Sequence, residues 1–220
     1  MKRSEINALM RDAVKFFAKS KFFLPEWAYW GEKEWRKAKG KYDEVKRNKL
    51  GWDITDFGSG DFIRSGLLLF TIRNGNLENP AGKNYAEKIM VVREKQLTPI
   101  HYHWKKMEDI INRGGGELIM QLWRADQHDG LSQEAFTVQI DGITKEVKAG
   151  KKIRLKPGQS ITLEPFVYHC FWAEKGRCLV GEVSKVNDDS NDNRFLEPVG
   201  RFPAIEEDEE PLYLLCNEYP

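Results

Sequence analysis

The sequence is short of cysteine, has no long apolar run and carries no dominant charge, and each shortage excludes something. Three cysteines, Cys170, Cys178 and Cys216, occur in 220 residues. An odd number with no CxxC pair forms neither a disulfide framework nor a cysteine-based metal site, so they read as reduced, structural thiols. No apolar stretch approaches the roughly 20 residues needed to cross a bilayer. The opening MKRSEINALMRDA is charged where a secretion signal is greasy, so the expectation is a cytoplasmic protein with no membrane partner. Thirty-five Lys and Arg face 34 Asp and Glu, with the signs interspersed. No broad field exists to hold a polyanion, which argues against nucleic acid as a partner.

What is present points to one mainly β domain spanning residues 1–220. Apolar residues make up 40% of the chain and aromatics 12%, enough to bury a core. Ile6, Leu9, Met10, Ala13, Val14 and Phe17 recur at helical spacing behind a cap expected at Ser4. The aromatic-rich stretch that follows, with Trp27, Trp30, Trp35, Tyr42 and Trp52, reads as short helices cladding a core or a subunit interface, so residues 1–61 are expected to be helical. From Phe62 onward short apolar runs alternate with turn signals such as Asn74-Gly75 and Asp141-Gly142. About ten such runs predict an antiparallel barrel or jelly roll over 62–195. Among them Leu118–Arg124, His169–Ala173 and Cys178–Ser184 are expected as separate strands. Residues 196–220 read as a C-terminal arm, with Glu206 to Glu210 an acidic surface run.

Histidine is scarce as well, with four in the chain, and three of them belong to one pattern. His101 and His103 alternate on a strand, so both imidazoles share a face while Tyr102 points away. Glu108 follows after room for a turn, and His169 can arrive from a facing strand. Three imidazoles and a carboxylate suit a six-coordinate divalent ion such as Mn, Fe, Co, Ni or Zn, with positions left for substrate. His128, in the turn-like Asp-Gln-His-Asp-Gly, reads as structural.

The spacing His-x-His, then Glu, then Gly114-Gly115-Gly116, followed downstream by Pro157-Gly158 and by Pro165 ahead of His169, resembles the two motifs of the cupin superfamily. More narrowly, HYHWKKMEDIINRGGG, EPFVYHCFWAE, GEVSKVNDDSNDNRF and RFPAIEEDEEP resemble the D-lyxose isomerase family of cupin-type sugar isomerases. That resemblance implies a cupin barrel with an N-terminal helical segment, Mn2+ held by His101, His103, Glu108 and His169, and a homodimer. It also implies interconversion of D-lyxose with D-xylulose, and of D-mannose with D-fructose, through a metal-stabilised cis-enediolate.

Such a reaction needs a base beside the C1 and C2 protons. Lys106, if its pKa is lowered beside a cation, is one candidate; Glu182, on the strand after His169, and Glu117, just past the glycines, are others. Lys105, the rival of Lys106, reads equally well as a solvent-facing charge. Asp188, Asp189 and Arg194 are candidates for holding sugar hydroxyls from a covering loop. An Fe(II) cupin dioxygenase, which would consume oxygen, and a non-catalytic sugar-binding cupin are the competing readings.

Overall fold

The computed structural model describes residues 1–38, 40–79 and 81–220. Helix α1 (Arg3–Lys19) buries Ile6, Met10, Ala13, Phe16 and Phe17 along one face, as its periodicity requires. Its cap is Lys2 rather than Ser4: the Lys2 N–H donates to Glu5 Oε2 at 2.9 Å. The exposed acidic run is tied to this helix. The Ser4 N–H donates to Asp208 Oδ1 at 2.8 Å, and the buried Arg3 guanidinium pairs with Glu207 at 2.7 Å and Glu218 at 2.5 Å. Carboxylates at a helix N-terminus satisfy its orphan donors and its dipole, so the arm is fastened to α1 rather than freely solvated.

A 3-10 turn (Glu26–Tyr29), α2 (Glu32–Ala38) and α3 (Asp43–Arg47) follow. Their aromatics are cladding: Trp35 is enclosed by Trp27, Trp30, Tyr42 and Tyr219, and Trp52 Nε1–H donates to the Ala28 carbonyl at 2.7 Å. Phe23, 79% exposed, stands outside this packing.

Among the described residues eleven strands form the antiparallel sheet: β1 (Gly51–Thr55), β2 (Leu67–Arg73), β3 (Tyr85–Val92), β4 (His101–Tyr102), β5 (Glu108–Arg124), β6 (Phe136–Ile140), β7 (Ile143–Val147), β8 (Lys152–Leu155), β9 (Ser160–Leu163), β10 (Val167–Lys185) and β11 (Arg194–Phe195). The main path runs β1-β2-β3-β10-β5-β9-β6-β7, with β8 beside β5 and β11-β4 beside β10. Strand β1 therefore lies inside the stretch expected to be helical. Alternation sorts its neighbours' side chains: Leu69, Met90 and Val180 enter the barrel core, whereas Leu68, Ile89 and Leu179 pack under α1.

The two longest strands, β5 and β10, each replace what reads in sequence as a shorter run. They pair with each other through register shifts at Glu174/Cys178 and Leu179/Val180, the bulges by which long strands bend across a barrel. Gly115 serves this bend: its φ is +94°, and a Cβ there would lie 2.2 Å from the Arg177 carbonyl oxygen. Among the described residues no helix is long and apolar enough to cross a membrane.

Candidate active site

Pairing brings the four proposed ligands together. His101 on β4 is the cross-strand partner of His169 on β10, His103 follows β4, and Glu108 opens β5. Ligand atoms of the three imidazoles all lie within 4.8 Å of one another. Each ring is turned by its far nitrogen: Nδ1 of His101 meets the Pro99 carbonyl at 2.8 Å, that of His103 the Asp192 carbonyl at 2.6 Å, and that of His169 the Val167 carbonyl at 3.0 Å. A carbonyl only accepts, so Nδ1 carries the proton and Nε2 offers its lone pair inward. Burial and then the neighbouring imidazole charge of His169 and His103 hold His101 well below its ordinary pKa; burial brings His169 down to about 4. Both rings are thus neutral at physiological pH, the form in which an imidazole can bind a metal.

Glu108 is the fourth proposed donor. Its Oε1 lies 3.2 Å from His169 Nε2 and 3.4 Å from His103 Nε2, is buried, and among the described residues has no hydrogen-bond partner. Lone-pair nitrogens cannot donate to it, so a buried carboxylate oxygen faces two bases with nothing between them to satisfy it. A divalent cation does satisfy it, and the donor set fits one. The other oxygen, Oε2, accepts from Lys106 Nζ at 2.7 Å. Burial would raise the Glu108 pKa, but the Lys106 ammonium reverses this and holds the carboxyl well below its usual range.

The wall beside this cluster is charged. Buried Lys106 also donates to Glu182 Oε1 at 2.9 Å, and Lys88, opposite Glu182 in the β3–β10 register, lies 3.3 Å from the same oxygen. Farther along, Asp189 meets Arg201 at 3.1 Å, and Arg201 pairs with Asp53 of β1 at 2.5 Å. Burial opposes ionisation of Asp189, yet Lys88 and Arg201 more than compensate and lower its pKa. Leu69, Met90, Phe171, Phe57 and Phe195 complete the lining.

Of the candidate catalytic and binding groups, Lys106, Glu182 and Asp189 line this pocket and three others do not. Lys106 differs from expectation in the direction of its pKa: burial lowers it, but Glu108 and Glu182 outweigh burial and raise it above the ordinary lysine value, which favours the ammonium form. Glu117 lies past the β5 bulge, in surface ion pairs with Arg154 at 2.9 Å and Lys175 at 2.8 Å. Asp188 accepts from the Ser190 and Asn191 backbone in a surface turn. Arg194 alternates with Phe195 on β11; Phe195 stacks on His101 with centroids 5.3 Å apart, and Arg194 lies outside the lining, its guanidinium on the Phe195 carbonyl. Exposed His128 sits in its turn, apart from the cluster.

Lys88, Asp53 and Arg201 escaped sequence reading. Lys88 was findable, because alternation through Lys88, Met90 and Val92 sends a lysine to the core face of β3. Asp53 lay in a segment read as helix, and Arg201 in an arm read as solvated.

The fold and the enclosed imidazole–carboxylate set define the class. Crystal structures of L-ribose isomerases share the architecture: that of Cellulomonas parahominis, without ligand, superposes with a TM-score of 0.61 at 15% identity, and that of Geodermatophilus obscurus with 0.60 at 13%, each alignment covering 94% of this chain and 98% of the other. That likeness is one of fold, a mainly antiparallel β scaffold common to these chains. A model of the D-lyxose isomerase family matches residues 1–219. A D-lyxose/D-mannose isomerase of Serratia proteamaculans is 52% identical and one of Escherichia coli 49%, both over all of this chain and 98% of the relative. The chain belongs to the D-lyxose isomerase family and is an aldose–ketose isomerase.

Proposed function

We propose that the chain interconverts D-lyxose with D-xylulose, and D-mannose with D-fructose, with Mn2+ held by His101, His103, Glu108 and His169. The observation carrying this reading is a carboxylate, Glu182, in the same pocket as four converging metal donors, one of them the unsatisfied Glu108 Oε1. Relatives at about half identity bear the names of both sugars. When bound, a divalent ion supplies Lewis-acid stabilisation of negative charge on the sugar oxygens.

The chain's own groups divide the remaining work. Glu182 takes the proton from C2 of the open-chain aldose as the C2–H pair moves into a C1–C2 double bond, then returns it to C1 of the resulting enediolate. A second proton passes from O2 to O1, so the reaction is internally balanced and needs no oxidant. Lys106, kept as an ammonium between Glu108 and Glu182, orients both carboxylates. Asp189, with Arg201 and Asp53 behind it, offers a charged, hydrogen-bonding wall for the distal hydroxyls. The cytoplasmic homodimer implied by the family resemblance belongs to this reading, and sedimentation of the purified protein tests its stoichiometry.

Incubating the metal-free protein with D-lyxose or D-mannose, with and without added Mn2+, decides the matter. Ketose is expected only with Mn2+. Equal ketose formation in a chelator, or none from either sugar with the ion present, contradicts the proposal.

A further inference from the structure

The segment from Asn187 to Phe195 touches both sides of the pocket. Toward the charged wall, Asn187 Oδ1 accepts from Lys88 Nζ at 2.6 Å and Asp189 meets Arg201. Toward the proposed ligands, Phe195 stacks on His101 and Asp192 grips the turn between β4 and β5. The grip is threefold. Asp192 Oδ1 accepts the Lys105 N–H at 2.9 Å, Oδ2 accepts the Lys106 N–H at 2.9 Å, and the Asp192 carbonyl accepts His103 Nδ1–H at 2.6 Å. Asp192 is buried, and among the described residues it has no cationic partner within salt-bridge distance.

A buried carboxylate without a counter-ion is costly unless hydrogen bonds satisfy it. Here both oxygens go to peptide N–H groups of the turn that carries His103, Lys106 and Glu108, groups that no strand ladder satisfies. We infer that Asp192 is a positioning residue for the metal centre, tying the sugar-facing loop to the turn that presents two of the four ligands. The inference rests on the reading of His101, His103, Glu108 and His169 as a divalent-ion site. Outer partners that orient ligands in this way change metal affinity without touching the ion. Through Asp192 the loop fixes the His103 tautomer, and through the Lys106 backbone it fixes the ammonium that holds Glu108 Oε2 and leaves Oε1 free.

Calorimetric titration of Mn2+ into metal-free wild type, Asp192→Ala and Asp192→Asn, alongside circular-dichroism melts of the same samples, tests this. Asp192→Ala is expected to weaken Mn2+ binding by about 10- to 100-fold while still folded at the titration temperature. Asp192→Asn, whose amide oxygen still accepts from one N–H, is expected to fall between. Affinities within about twofold of wild type in both variants, with only the melting temperature lowered, mean that Asp192 is a plain loop fastening and overturn the inference. Should Asp192→Ala not fold, Asp192→Asn decides by the same criterion. A wild type that takes up no Mn2+ removes the divalent-ion reading itself, and this inference with it.

Discussion

At the scale of single residues the site works by separating two carboxylates that share one ammonium. Lys106 holds Glu108 at 2.7 Å and Glu182 at 2.9 Å, yet Glu108 has imidazoles on its other oxygen whereas Glu182 has a second ammonium, Lys88, on the same oxygen. On the proposed reading, environment suits the two acids to different tasks, a ligand and a base. Replacing Glu182 with Gln is expected to keep bound Mn2+ near wild type and to cut turnover by roughly 100-fold or more, the usual worth of a positioned base. Lys106→Met is expected to lose turnover and metal together, because Glu108 Oε2 is left buried and unpaired. Metal content by atomic emission beside a ketose assay separates the two. A Glu182→Gln enzyme with undiminished turnover would remove that residue from the chemistry.

At the scale of elements, β5 and β10 place the site by being long. Both ends of β10 reach the pocket, through His169 and Glu182, and β5 opens there with Glu108, whereas the middle of the pair, past the bulge, carries the surface ion pairs of Glu117 and Glu174. Gly115 makes the bend possible, and Gly115→Ala is expected to cost about 1–3 kcal/mol of stability, since the backbone lies at positive φ and the added methyl group meets the Arg177 carbonyl. Chemical denaturation against wild type measures it, and an unchanged midpoint would mean that the bend does not need glycine. The convergence of His101, His103 and His169 was legible because a period-two repeat and rare histidines leave few alternatives. The merging of short runs into β5 and β10 was not, because Gly and Lys-Gly interruptions read as strand ends when a bulge satisfies them equally well. Lys106 was placed in the site from its position in the sequence, but its charge depends on Glu182, distant along the chain and near only after folding. Asp53 and Arg201 were missed for the same reason, since each acquires its meaning from the other.

At the scale of the whole molecule, the termini and the barrel are one structure. The C-terminal arm fastens to α1 through Arg3, Glu207 and Glu218, bridges Trp52 through Leu215, and delivers Arg201 to the pocket on the way. Balanced charge and buried, unpaired thiols fit an enzyme whose work is confined to one enclosed centre. The account depends on that centre holding one ion through four side chains. Anomalous diffraction from crystals grown with Mn2+ tests this most directly. A single peak is expected between β4, β5 and β10, roughly 2.0–2.2 Å from three imidazole nitrogens and one Glu108 oxygen; its absence, or a peak held elsewhere while these four groups remain without it, would contradict the account.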